Sequence, residues 1–121
     1  MASNAWATEI WVVTDHRHPV TVAPYIRLIE LDAPTRIQAE LPQHLPADPK
    51  RAAELVQRRL KEDGGALQRR LAAAYQDVTD AWHLGITKIP AVVVDRRYVV
   101  YGDSDVNRAL SRIEQYRRAH P

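Results

Sequence analysis

The chain has 121 residues, 45% of them hydrophobic and 26% charged, which is enough for one globular core. It contains no cysteine, so disulfides, thiolate catalysis and cysteine-ligated zinc are excluded for this chain. With 17 basic residues against 15 acidic ones the formal net charge is only +2, a weak basis for binding nucleic acid, and no apolar run approaches the roughly 18 residues of a membrane span.

The start, MASNAWATEI, has neither a charged n-region nor an apolar h-region, so it is not an intact signal peptide. Ala5-Trp6-Ala7 does have the small-x-small form of a cleavage site, which points to a removed leader and a native place outside the cytoplasm; an ordinary frayed start is the alternative. A flexible N-terminus over 1–8, followed by one domain to 121, is expected.

Glu9 to Thr14, EIWVVT, mixes β-branched and aromatic residues and reads as a first strand buried on both faces, ended by Asp15. His16 to Pro24, HRHPVTVAP, is too rich in proline for a regular helix and is expected to be a loop. Tyr25 to Leu31, YIRLIEL, alternates as a second strand. Asp32-Ala33-Pro34 then has the form of a helix start, with Ile37 and Leu41 as a short stripe that Pro42 closes.

After the proline-rich PQHLPAD, Asp48-Pro49 supplies a capping acceptor and a proline for the first turn of a helix from Pro49 to Glu62. Its stripe is Ala52, Leu55, Val56 and Leu60. Gly64-Gly65 interrupts it before a longer helix from Ala66 to Leu84, where Leu67, Leu71, Ala74, Tyr75, Val78, Ala81 and Trp82 recur at steps of three and four. Gly85 suits the position past its end.

Ala91 to Asp95 and Arg97 to Tyr101 read as two strands of a hairpin, with Asp95-Arg96-Arg97 as a turn that lacks glycine. Asp103 or Ser104 caps a last helix whose stripe is Val106, Ala109, Leu110 and Ile113, with Tyr116 near its edge. Strand, loop, strand, helices, two strands and a helix make a mixed α/β fold in which helices flank a small sheet.

Pro90, heading the run Ala91 to Val94, cannot donate to a ladder and so belongs at the first position of a strand. A trans bond is the ordinary state of X–Pro, and the local residues alone do not overturn it. The wider order does: a long helix, Gly85, a short link, Ile89-Pro90, a valine strand, a hairpin and a final helix resemble the second half of a thioredoxin fold, which implies a cis Ile89-Pro90 bond. In active members of that superfamily a Cys-x-x-Cys lies in the loop after the first strand. The matching stretch here is Asp15 to Thr21, without cysteine, so thiol–disulfide catalysis is removed and the helix after that loop is shortened.

A closer resemblance is carried by VVTDHRHPVT, IELDAPTRIQAEL, LPADP, ITKIPAVVVDRRYVVYG and RIEQYR, which together span most of the chain. The sequence is similar to small, typically exported thioredoxin-like proteins encoded on integrating conjugative elements of proteobacteria. That resemblance implies a small mixed sheet with a helical insertion in the middle, a periplasmic location and a role in conjugative transfer near a type IV secretion apparatus, with a protein partner.

Several candidate sites compete. Asp15, His16 and His18 lie close enough to serve a metal or acid/base centre, but zinc takes three or four protein ligands and a further one, such as His83, is distant in sequence. A polar loop facing solvent is the plainer account. A Ser/His/Asp hydrolase has little basis: Ser104 sits at a helix cap and no G-x-S-x-G is present. The pairs Arg58-Arg59, Arg69-Arg70, Arg96-Arg97 and Arg117-Arg118 are expected to pair along helix faces with Glu54, Glu62, Asp63 and Glu114.

Trp11, Tyr75, Trp82 and Tyr116 are expected in the core, whereas Tyr98 and Tyr101 leave an aromatic on a sheet edge open to a partner. The sharper reading is a peptide-docking surface made by His16, Arg17, His18 and Pro19 with Lys88, Ile89 and Pro90. The main chain of Ile89 would pair with an extended peptide, which needs no thiol. On this reading the protein is a non-enzymatic interaction module with no cofactor and no bound metal; the alternative is a non-thiol or metal-dependent enzyme using Asp15, His16 and His18.

Overall fold

The first strand, β1 (Ile10–Thr14), is buried along its whole length in the computed structural model of the protein, which describes residues 8–121. Its side chains alternate between two cores: Ile10 and Val12 enter one, Trp11 and Val13 the other, as the two-residue period of a strand requires. The expected stretch over 1–8, with Ala5-Trp6-Ala7, lies outside the described residues except for Thr8.

A strand with core on both faces belongs in the middle of a covered sheet. Among the described residues the sheet has four strands in the order β2-β1-β3-β4. β2 (Arg27–Glu30) runs parallel to β1, with Val12 opposite Leu28 and Thr14 opposite Glu30. β3 (Ala91–Val94) runs antiparallel to β1 with Val13 opposite Ala91, and β4 (Tyr98–Tyr101) antiparallel to β3 with Val92 opposite Val100. The sheet is open and mixed, and the hairpin supplies its edge. β2 starts later than the alternation suggested, because Tyr25 and Ile26 sit in a turn closed by the Ile26 N–H donating to the Ala23 carbonyl at 3.0 Å.

Four helices accompany the sheet among the described residues: α1 (Ala33–Gln38), α2 (Pro49–Lys61), α3 (Ala66–His83) and α4 (Val106–Ala119). α4 covers the first core with Val106, Ala109 and Ile113, the stripe its sequence shows. α3 covers the second with Ala81, continued by Leu84 and Ile86. α1 and α2 pack on α3, and all three lie between β2 and β3 along the chain. Asp48 caps α2 as expected, its carboxylate accepting from the Lys50 N–H at 3.2 Å.

α3 overturns part of its expected stripe. Ala74, Val78 and Ala81 are buried, whereas Tyr75 is 47% and Trp82 68% exposed. Each of those aromatics lies one residue, or about 100° of rotation, beyond a small buried residue that lets the helix approach closely. Tyr116, 54% exposed, likewise falls outside the α4 stripe, while Trp11 is buried as expected.

Gly85, at φ +72°, ends α3 in a Schellman arrangement: its N–H donates to the Trp82 carbonyl at 2.9 Å and the Ile86 N–H to the Ala81 carbonyl at 3.3 Å. At the start of α4 the cap is Asp105, not Asp103 or Ser104; its carboxylate accepts from the Arg108 N–H at 3.1 Å. Asp103 is buried instead and takes two hydrogen bonds from the Arg108 guanidinium, both at 2.8 Å. The Ile89-Pro90 bond is cis.

The expected pairing of arginines along their own helix faces holds for Arg118 with Glu114. Others reach across the fold: Arg70 pairs with Glu40 at 2.9 Å, Arg96 with Glu9 at 2.9 Å, and Arg59 donates to the Leu41 carbonyl at 2.6 Å. Helix neighbours are only one source of partners once a chain turns back on itself.

Candidate functional site

Strand direction decides what meets at one end of the sheet. Because β1 and β3 are antiparallel with Val13 opposite Ala91, the end of β1 and the turn that enters β3 lie side by side. The loop Asp15 to Pro19 and the turn Lys88 to Pro90 therefore share that end.

The loop is tied by its carboxylates. Asp15 Oδ1 accepts from the Arg17 N–H and the His18 N–H, each at 3.0 Å, and from the His18 ring Nδ1 at 2.7 Å. An ionised carboxylate only accepts, so Nδ1 carries the proton in this contact. The ring hydrogen bond holds the Asp15 carboxyl below the usual range, with smaller contributions from the two N–H groups. Thr14 Oγ1 donates to the His18 carbonyl at 2.6 Å and closes the loop onto the strand.

His16 takes a different partner. Its ring Nδ1 meets Asp32 Oδ2, and its N–H donates to the same carboxylate at 3.3 Å. Burial raises the Asp32 carboxyl, but the ring and main-chain hydrogen bonds of His16, with Arg36 nearby, outweigh it and leave the group lowered. Sequence reasoning placed Asp32 at the head of a helix. It does stand at the N-cap of α1, yet its side chain makes no capping bond and turns to His16 instead.

The two histidines thus form separate pairs, His16 with Asp32 and His18 with Asp15, each with its ring more than half exposed. Among the described residues no group of three or more His, Cys, Asp or Glu side chains is placed to hold a metal ion, and His83 joins neither pair. Two carboxylate-oriented imidazoles are what the loop offers to acid/base chemistry.

The turn presents main chain. Pro90 gives its carbonyl to the Gly102 N–H at 2.8 Å, which fixes the turn to the far end of the hairpin. Ile89 packs its half-buried side chain against the core that holds Trp11 and Val93. Among the described residues its N–H and C=O make no hydrogen bond, and neither do those of Lys88. Arg17, His18, Pro19 and Lys88 are exposed around it. Pro19 also opens a groove of about 570 Å³ that runs past Val22 and Tyr25 to Ser104 and Asn107 at the start of α4.

An open mixed α/β sheet with a polar, cysteine-free loop and a main-chain-presenting turn at one end defines the class of this protein. The chain belongs to the family described as Protein of unknown function (DUF1525), whose model matches residues 7–119. No curated protein and no solved structure matches the chain.

Proposed function

We propose that the protein is a non-catalytic, thioredoxin-like interaction module that acts in the periplasm during transfer of an integrating conjugative element. It docks an extended segment of a protein partner at Lys88, Ile89 and Pro90, between the turn and the loop His16 to Pro19. The observation that carries this is the Ile89 main chain, whose N–H and C=O have no hydrogen-bond partner among the described residues at a sheet end. Main-chain donors and acceptors seek partners, so an unpaired pair next to exposed loops is a place for another chain to add as a strand.

The thioredoxin-like reading rests on the order β2-β1-β3-β4, a parallel pair joined to an antiparallel hairpin and a closing helix. The periplasmic and conjugative parts rest on the sequence resemblance. The chain holds no cysteine, so docking at this turn involves no mixed disulfide.

Photo-crosslinking tests the proposal. With benzoylphenylalanine at Lys88 in donor cells carrying the whole element, one adduct with a partner encoded by the element is expected in the periplasmic fraction. The same probe at Gln57, on the exposed face of α2, should give none. Equal labelling from both positions, or none from Lys88, would count against the site.

The second reading, an enzyme built on Asp15, His16 and His18, is favoured by the ring Nδ1 contacts with Asp32 and Asp15, by which a carboxylate orients each imidazole. Asp32 replaces Asp15 as the partner of His16 in that reading.

A further inference from the structure

The outer side of β4 carries a second basic surface. β4 pairs with β3 on one side and, among the described residues, with no strand on the other. The hydrogen bond from the Gly102 N–H to the Pro90 carbonyl sets the alternation of the ladder. Counting along it, Tyr98 and Val100 exchange bonds with β3, whereas the N–H and C=O of Val99 and Tyr101 point away from the sheet.

Beside this edge a groove of about 370 Å³ runs between β4 and α4. Its lining combines Tyr98, Val100, Ile113 and Tyr116 with the cations Arg97 and Arg112, and it contains no carboxylate. Neither Arg97 nor Arg112 makes an ion pair among the described residues. Their neighbour Arg117, stacked 5.2 Å from the Tyr98 ring, is already turned to Asp95 at 3.7 Å.

We infer that the β4 edge is a binding site for an extended acidic peptide, which adds as a fifth strand on Val99 and Tyr101 and places carboxylates on Arg97 and Arg112. Main-chain hydrogen bonds supply the alignment, the Tyr98–Tyr116 floor takes an apolar side chain, and the two unpaired cations select the charge. The site uses the outer main chain of β4, not that of Ile89.

The test uses a fluorescein-labelled peptide of about eight residues alternating glutamate and valine, with a lysine–valine counterpart. Anisotropy should rise with the acidic peptide and respond at least about tenfold more weakly to the basic one. Arg97→Glu with Arg112→Glu should weaken the acidic peptide about tenfold, and raising the salt from about 50 to about 500 mM should weaken it several-fold. In amide NMR spectra the Val99 and Tyr101 resonances should move. Val99→Pro, tolerated on an edge but lacking the donor, should abolish binding while circular dichroism shows a folded chain.

Equal binding of the two peptides, or shifts at Lys88 and Ile89 in place of β4, would overturn the inference. So would a concentration-dependent dimer, seen by sedimentation, that covers Val99 and Tyr101.

Discussion

Glu9 and Asp95 hold each other across the sheet end: the Asp95 N–H donates to the Glu9 carbonyl at 2.7 Å, and the Glu9 N–H donates to Asp95 Oδ1 at 2.8 Å. Asp95 opens the hairpin turn, in which it and Arg96 both have positive φ, 54° and 53°, without a glycine. Arg96 returns to the Glu9 carboxylate at 2.9 and 3.2 Å and lies 5.3 Å from the Trp11 ring. A left-handed turn of this kind ordinarily calls for glycine or asparagine; here Glu9 secures it from outside the hairpin.

Asp95→Ala should therefore destabilise the fold by about 2 kcal/mol, since it loses the Glu9 hydrogen bond, worth about 1 kcal/mol, and keeps a Cβ in the left-handed region. Asp95→Gly should cost about 1 kcal/mol, because glycine relieves the backbone. Urea unfolding midpoints measure both; an alanine variant as stable as the glycine variant would contradict this account of the turn.

Ile29 is fully buried on β2, in the core with Trp11 and Ala81, whereas Trp82 is 68% exposed. Ile29→Ala should cost about 2–5 kcal/mol through lost transfer energy and the cavity left behind. Trp82→Ala should stay within about 0.5 kcal/mol. Thermal denaturation of the two variants ranks them, and the reverse ranking would mean that α3 packs on the sheet by its other face.

Asp103 is 5% exposed, and the two hydrogen bonds from Arg108, then the N–H of Asp105, lower its carboxyl from 3.8 to about 2. A carboxyl whose pKa falls on folding stabilises the protein fully above its unfolded value and loses that contribution as pH drops through the folded one. Asp103→Asn should thus be less stable than the parent near neutral pH, and the gap should close as pH falls from about 4 to about 2. Chemical unfolding of both proteins at stepped pH reads this directly; a constant gap would show that Asp103 titrates normally.

Arg27 lies between Asp77 and Asp80, with its guanidinium 2.7 Å from each carboxylate and 4.4 Å from the centre of the Trp11 ring. Lysine keeps the charge but has neither the planar fork nor the stacking face. Arg27→Lys should cost about 1 kcal/mol, of which the ring contact supplies about half. The ion-pair part should shrink in high salt while the ring part remains, so unfolding at low and high ionic strength separates them.

Periodicity and punctuation carried much of the fold. The valine-rich strands, the caps at Asp48 and the glycine stop at Gly85 depend on residues within a few positions of one another, so they are legible in one dimension. The same holds for the α4 stripe. What misled was rotation about α3: a stripe wide enough to include Tyr75 and Trp82 exceeds the narrow face that Ala74, Val78 and Ala81 present to their neighbours.

His16, His18 and the Ile89-Pro90 turn stand out in the sequence, and Asp32 reads there only as the helix start that it also is. Its bond to His16 spans 16 residues and exists only because β2 returns parallel to β1 and delivers the head of α1 beside the loop. A helix-start motif is also the local signal for a carboxylate with spare acceptors, and nothing nearby in sequence says which donor it will meet.

The sequence by itself determined that this chain does no thiol chemistry, that its strands and helices form a mixed α/β domain, and that Pro90 heads a strand. Tertiary structure decided which histidine meets which aspartate, which aromatics stay exposed, and which edge of the sheet is left open beside unpaired arginines. The physical reason is range: composition and periodicity are set by neighbours along the chain, whereas charge pairing and exposure are set by groups that only strand pairing and helix packing bring together.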